Sequence, residues 1–368
     1  MKTIVQITGM HSFKFGALEN YFVHLIARCN ATGYRTLMQY ETMPASQAYL
    51  NQLKKLGAEI MVFPINGNPV TMLINYAAFI FKTKPEIVHA HFVDRYARPA
   101  IPAIARIAGS KRIIYTVLNQ PPYAKRNISR IAYNLYDSIL PVSKSVELSL
   151  LKAGVRPAIL NTLYSGLFGE RSRSMDQRRG LRTMLGIPQD SIVLACIAFD
   201  AAFKGLDILL DAFRVIYDKY PDVFLLSVGV EPSKSRLPKL AQEMGISERI
   251  RWLGIIDEGW KALSAADIYV QPSRAEEGLP LSIMEAMSMR IPVVCTNISG
   301  NTEAVINGKN GLVCSPNKND LAAALEKMVL RPDVWDEMGK FGYERFREIF
   351  DGEKSIQCLV EEYYGLHK

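Results

Sequence analysis

The chain alternates short apolar runs with helix-period stretches along its length, and it does so twice. Strand-length runs lie at Ile4–Thr8, Thr36–Tyr40, Ile60–Phe63, Ile87–Ala90, Ile113–Thr116 and Ile139–Val142. Helical patterns separate them at Leu18–Ala31, Ser46–Leu56, Val70–Phe81 and Arg98–Ala108. A strand apolar along its whole length has both faces covered, so this rhythm gives a parallel sheet with helices on both sides. From Phe168 to Gln189 the pattern breaks into a polar, arginine-rich stretch, read as a loose linker with a short helix. A second set follows, with strands at Ile192–Ala198, Val223–Val228, Ile250–Leu253, Ile268–Gln271, Pro292–Cys295 and Gly311–Cys314. Its helices lie at Leu206–Tyr220, Lys234–Met244, Leu281–Met289 and Asp320–Leu330. The expectation is α/β, with two doubly wound domains at 1–167 and 168–349. A helical tail at about 350–368 crosses back to complete the first. The 368 residues are enough for two cores.

Composition narrows the class. No run approaches ~18 uninterrupted apolar residues, so a spanning helix is not expected. The helix Val70–Phe81 is too short to span and reads as core-facing, in preference to membrane docking. The apolar start Thr3-Ile4-Val5 reads as a first strand, not a secretory leader. Five scattered cysteines without a Cys-x-x-Cys pair point to a reducing, cytoplasmic setting, and no His/Cys cluster has the spacing of a metal site. Charge is uneven: residues 1–167 carry 19 Lys and Arg against 7 Asp and Glu, a net of +12, while the rest is acidic. A basic half fits an anionic partner, and it equally fits plain solubility.

Doubly wound sheets bind ligands beyond the carboxyl ends of their strands, so the strand-to-helix loops hold the candidates. The richest runs from Gln271 to Met287. Pro280 suits the first turn of a helix, because it has no amide to leave unsatisfied there. The amides of Leu281 and Ser282 then form, with the positive helix end, a site for a phosphate or diphosphate. Glu285 lies one turn further on and could accept from neighbouring ribose hydroxyls. Glu277, in the loop beside Gly278 and Leu279, could hold hydroxyls of an attached sugar. Taken singly, Glu285 also reads as a solvated helix residue and Glu277 as a capping group.

The segment with Glu277 and Glu285 eight positions apart around Gly-Leu-Pro-Leu resembles the signature of retaining family 4 glycosyltransferases. Other pieces follow in order. Phe15-Gly16-Ala17-Leu18-Glu19 resembles the family's first glycine-rich loop, with Ala17 at its second glycine. Ile87–His91 resembles the strand end facing the acceptor, and Lys204-Gly205-Leu206-Asp207 the lysine-glycine step. Asn297–Glu303 and Gly308–Val313 resemble the closing turns. The resemblance implies two Rossmann-like domains facing a central cleft, the GT-B fold. It implies that Gly16, Lys204, Gly278, Leu279, Pro280, Leu281, Ser282 and Glu285 bind the donor, with Glu277 on the sugar. It implies catalytic roles for Glu277 and Lys204; His91, read as catalytic, and Asn119 are expected to line the acceptor pocket in place of the family's histidine, with Tyr123 a further acceptor contact. For Lys204 an exposed lysine before a helix, and for His91 a packing role, stay open beside these. Two departures stand out: no arginine precedes Lys204 within Ala198–Phe203, and no histidine occupies Thr116–Asn119.

The implied reaction moves a sugar from a UDP-, GDP- or ADP-sugar to an acceptor hydroxyl with retention. No metal and no other cofactor is expected. The basic residues Lys111, Arg112, Lys125, Arg126 and Arg130, near Tyr123, suggest a lipid-linked or cell-envelope glycan as acceptor. They also suggest a peripheral place on an anionic membrane surface, at the inner face of the plasma membrane. A sugar-nucleotide epimerase of the same plan and a two-lobed sugar-binding protein are the competing readings. A dinucleotide oxidoreductase is disfavoured because Gly9 and Gly16 are too far apart for Gly-x-Gly-x-x-Gly. A nucleic-acid role is not expected, for want of a compact basic-aromatic motif.

Overall fold

The computed structural model describes residues 2–93, 97–119, 131–169, 171–275 and 277–367. The chain divides into unit 1, Met1–Phe168 with Gly352–Lys368, and unit 2, Gly169–Asp351. Among the described residues each unit carries one six-stranded sheet, parallel throughout.

Unit 1 is built from β1 (Thr3–Ile7), α1 (Ala17–Ala31), β2 (Arg35–Tyr40), α2 (Gln47–Lys55), β3 (Glu59–Val62), α3 (Pro69–Thr83), β4 (Ile87–His91), α4 (Ala97–Ile107), β5 (Arg112–Val117), β6 (Ser138–Pro141) and α5 (Lys144–Lys152). The sheet order is β3-β2-β1-β4-β5-β6, so the winding reverses between β1 and β4. One face packs Val5, Val88 and Ile113 against Tyr76, Phe79 and Ile101 of α3 and α4. The other packs Ile4, Ile87 and Ile114 against Phe22 and Leu25 of α1 and against Ile356 and Leu359 of the C-terminal segment. Local chemistry starts these helices where they start. Asn68 accepts from the amides of Val70 and Thr71, with Pro69 at the first turn, and Ser46 accepts from Tyr49.

The tail is tied to the sheet by a buried polar chain. Gln6 Nε2 donates to the Tyr364 hydroxyl at 2.8 Å, which shares a 2.7 Å hydrogen bond with His89 Nδ1. His89 Nε2 bonds Thr116 Oγ1 at 2.7 Å, and His91 Nε2 donates to Gln6 Oε1 at 3.0 Å. At the surface, Arg28 pairs with Glu361 at 2.8 Å.

Helix α3 departs from its core-facing reading. Met72, Tyr76, Phe79 and Ile80 are buried as expected, but Val70 (63% exposed), Leu73 (42%), Ile74 (64%) and Phe81 (47%) face outward. Positions 70, 73, 74 and 81 share one side of a 3.6-residue helix, so α3 is apolar on two opposite faces.

Unit 2 runs α6 (Met175–Met184), β7 (Ile192–Ile197), α7 (Leu206–Lys219), β8 (Val223–Val228), α8 (Leu237–Glu243), β9 (Ile250–Trp252), β10 (Ile268–Gln271), α9 (Leu281–Ser288), β11 (Val293–Thr296), α10 (Asn301–Ala304), β12 (Gly311–Cys314), α11 (Lys318–Val329) and α12 (Trp335–Ile349). The order β12-β11-β10-β7-β8-β9 reverses between β7 and β10. Leu209, Phe213, Leu321 and Leu325 of α7 and α11 cover Leu194, Leu225 and Val294 on one sheet face.

The polar stretch before β7 is not a loose tether. Arg182, with no exposed side-chain surface, donates to the carbonyls of Ala265, Gln189 and Ser191 and pairs with Asp267 at 2.7 Å. Arg178 takes the other Asp267 oxygen at 2.7 Å. A buried guanidinium is tolerated when its fork is filled in this way. The arginines that read as linker composition are the residues that dock α6.

Candidate functional site

The reversal of strand order in unit 2 places the loop after β7 beside the loop after β10, the position where doubly wound sheets bind ligands. The first loop ends in a 3-10 turn, Ala202–Lys204, and then Gly205, which starts α7 with φ +66°. A Cβ on Gly205 would lie 2.1 Å from the Pro272 carbonyl oxygen. Glycine is therefore required twice here, for the left-handed backbone and for the close approach. The Arg274 amide donates to the Phe203 carbonyl at 2.8 Å, and its guanidinium meets Asp207 at 2.6 Å. These contacts lock the two loops together and set Lys204 against Glu277.

Lys204 Nζ donates to Glu277 Oε1 at 2.7 Å, with the carboxylate 4% and the lysine side chain 14% exposed. The ammonium also lies over the Phe203 and Phe199 rings, 5.1 and 5.4 Å from their centroids. Ser273 Oγ donates to the same Glu277 oxygen at 2.6 Å and Gln271 Nε2 at 3.2 Å. Gln271 is in turn fixed by the Tyr269 and Ser282 hydroxyls, at 2.7 and 3.2 Å. Among the described residues these bonds all fall on Oε1 and none on Oε2. One oxygen of Glu277 is thus held by the protein.

The loop is braced from behind. A Cβ on Gly300 would lie 2.0 Å from the Gly278 carbonyl oxygen, and the Thr296 hydroxyl donates to the Ser273 carbonyl. Pro280 is the residue before α9, with extended backbone, and not a member of its first turn as read from sequence. Its carbonyl accepts from Ile283, and no side chain caps the helix. The amides of Leu281 and Ser282, on half-buried residues, therefore stand at the positive end of α9 without an intrahelical partner. Glu285 follows on the same helix and is buried.

In unit 1 the expected residues sit beyond neighbouring strands. Gly16, after β1, donates its amide to Glu19 Oε2 at 3.0 Å, and Ser12 donates to Glu19 Oε1 at 2.9 Å. That amide is thus engaged in capping α1. His91 ends β4 at 1% exposure, bonded to Gln6 and edge-on to Phe22 at 5.2 Å. Burial pushes its pKa down to about 3, and burial with the neighbouring His91 holds His89 well below the usual histidine value. His91 is therefore a neutral packing residue with no surface for an acceptor. Asn119, two residues after β5, is exposed. Tyr123, Lys125, Arg126 and Arg130 lie outside the described residues, and Lys111 pairs with Glu86 at 2.8 Å.

Reading the sequence missed Gln271 and Ser273, which hold Glu277. The one signal was a polar residue closing the apolar run Ile268–Val270. Among the described residues no group of three His, Cys, Asp or Glu side chains is placed to hold a metal ion.

The model of the glycosyl transferases group 1 family matches residues 177–345, most of unit 2. An uncharacterized glycosyltransferase of Haemophilus influenzae is 28% identical over 167 residues, covering 45% of this chain and 46% of that protein. The chain thus spans about half the length of that relative. A putative teichuronic acid biosynthesis glycosyltransferase, TuaC of Bacillus subtilis, is 25% identical over 299 residues, covering 77% of this chain and 72% of its own length. Among solved structures, Anabaena Alr3699/HepE in complex with UDP and glucose aligns over 100% of both chains with TM-score 0.83 at 18% identity. That likeness shows the fold, the two Rossmann-like domains of the GT-B class. The fold and the family match support a group 1 glycosyltransferase.

Proposed function

We propose that the protein is a retaining hexosyltransferase that moves a sugar from a nucleoside-diphosphate donor to an acceptor hydroxyl. The observation that carries this reading is the Lys204–Glu277 contact beside the uncapped start of α9, inside the segment that the family model matches. Breaking the anomeric C–O bond leaves negative charge on the departing phosphate and positive charge on the sugar. Lys204 and the Leu281 and Ser282 amides face the phosphate, fixed cations and dipoles aimed where charge develops. Glu285 accepts from ribose hydroxyls, and Glu277 Oε2 accepts from a hydroxyl of the sugar. The acceptor oxygen attacks from the leaving-group side, and a departing phosphate oxygen takes its proton, which retains configuration. This charge set needs no metal, and turnover in excess EDTA should equal that with added magnesium.

A panel of UDP-, GDP- and ADP-hexoses tests the donor, because a ligand at 100 times its Kd stabilises the native state by about 2.7 kcal/mol. Glu285→Ala should weaken binding of the preferred nucleotide at least tenfold, as expected when charge-assisted bonds to ribose are lost. No donor-dependent rise in unfolding temperature with any of the three would reject the reading. The Anabaena protein's UDP complex favours UDP in that panel.

The acceptor is a lipid-linked or cell-envelope glycan, and the enzyme works at an anionic membrane surface on its cytoplasmic side. Among the described residues no helix is long and apolar enough to cross a membrane. Support comes from the outward stripe Val70, Leu73, Ile74 and Phe81 on α3. The segment 60–85 contains no acidic residue and ends in Lys82 and Lys84, within the basic half of the chain. Apolar side chains enter the acyl boundary while lysines meet anionic headgroups, each adding about 1 kcal/mol. The chain should co-sediment with phosphatidylglycerol vesicles at low salt, and Ile74→Glu should weaken this at least tenfold. Sedimentation at background level for the unaltered chain would remove the membrane from the reading.

A further inference from the structure

Unit 2 contains two buried arginines in opposite states. Arg182 has its guanidinium filled by carbonyls and Asp267. Arg171, two residues into the unit, is 8% exposed, and its Nε and Nη1 are shut from solvent with no hydrogen-bond partner among the described residues. Its guanidinium lies over the Trp260 ring, 5.0 Å from the centroid. Stacking covers one face of the group and leaves the in-plane Nε and Nη1 donors unused. An arginine cannot shed its charge to escape this cost, so a buried guanidinium without acceptors is a structural deficit unless something else supplies them. The Glu285 and Glu258 carboxylates bear on it electrostatically, Glu285 more strongly. Left alone, those carboxylates would repel an anionic ligand.

We propose that Arg171 is a nucleotide-binding residue, stacked on Trp260, with its Nε and Nη1 donors left without acceptors among the described residues so that they engage oxygens of a nucleoside diphosphate beside Glu285. The inference rests on the donor reading above and adds a residue outside the loops that define it. Arg171 acts twice. It offsets the Glu285 charge as an anionic ligand approaches, and it supplies donors in a fixed fork where Glu285 can only accept. Its deficit in the empty protein is relieved on binding.

The experiment compares R171M, R171K and R182M with the unaltered chain, by calorimetry with UDP, GDP and ADP and by thermal unfolding without nucleotide. Methionine keeps an apolar stem against Trp260 and removes the unfilled donors. R171M should weaken the preferred nucleotide at least tenfold, with a ligand-free unfolding temperature unchanged or higher. R171K, which keeps the charge without the fork, should recover part of the affinity. R182M, which empties a filled site, should lower the ligand-free unfolding temperature. A fall in the R171M unfolding temperature like that of R182M, with affinity within twofold of the unaltered chain, would overturn the inference and make Arg171 structural. If no nucleoside diphosphate binds the unaltered chain, the donor reading fails and this inference with it. Binding by the unaltered chain that R171M retains fails the inference alone.

Discussion

Lys204→Met is expected to slow sugar transfer by about 10²- to 10³-fold, the loss that follows removal of one fixed group facing a developing anion. Methionine keeps the stem against Phe199 and Phe203 and deletes only the ammonium. The same change is expected to destabilise the chain by about 3 kcal/mol, because it strands a buried carboxylate. Glu277 is 3% exposed and would keep only Ser273 and Gln271 as donors. Glu277→Gln reverses the asymmetry. Lys204 has more surface than its partner and can turn to water, so the stability cost should be nearer 1 kcal/mol. Turnover should still fall more than nucleotide affinity, since in the proposed reading Glu277 serves the sugar and not the nucleoside. Steady-state rates, nucleotide Kd values and urea midpoints of the two variants decide the matter. Turnover at the unaltered level in both would remove the pair from the chemistry.

The second large effect is acid sensitivity seated in unit 1. His89 and His91 are fully enclosed, with ring centroids 4.0 Å apart, and every hydrogen bond described for them suits a neutral ring. Their folded pKa values are depressed, His91 to about 3 and His89 well below the ordinary value near 6.5. Above that ordinary value both states are neutral and the pair contributes no pH dependence. Below it the unfolded chain takes up protons that the folded chain refuses, so stability falls with falling pH until the folded values are reached. His91 then costs about 1.4 kcal/mol per pH unit, or about 3 kcal/mol at pH 4.5, and His89 adds to it in the same direction. In the proton NMR spectrum neither imidazole should titrate between pH 8 and 5. His91→Gln should lower this pair's contribution to the pH slope of the urea midpoint, leaving the part due to His89. An imidazole that titrates near pH 6.5 would show that the enclosure is wrong.

The strands were legible because a strand buried on both faces must be apolar throughout. Val223–Val228, Ile268–Gln271 and Gly311–Cys314 have the same ends in the sequence reading and in the fold. The helix start within the segment Gln271–Met287 was legible for a related reason. A helix start needs a small set of residue types in a fixed order, and order survives in sequence. Side-chain state was not legible. His91, at a strand end, and Glu277, in the loop beyond one, are both polar, and nothing local tells the packed one from the one with an oxygen left unbonded among the described residues. The arginines at 171, 173, 178, 179 and 182 read alike as linker polarity, although Arg182 is a filled buried staple and Arg171 is buried with Nε and Nη1 unpartnered among the described residues. The two faces of α3 were also hidden. An all-apolar helix records that its side chains prefer to leave water, and not which of them find a partner.

The sequence by itself determined the two parallel sheets, the loop-and-helix segment that carries Glu277 and Glu285, and the glycine between Lys204 and α7. Periodicity, turn chemistry and short-range order are written locally along the chain. Only the tertiary structure decided that Lys204 meets Glu277 across 73 positions and on one oxygen alone, and that His91 is sealed while Arg171 is left wanting acceptors. Those outcomes depend on which distant groups come within hydrogen-bond reach when the sheets close and exclude water. That long-range pairing is set by packing, which no local stretch of residues encodes.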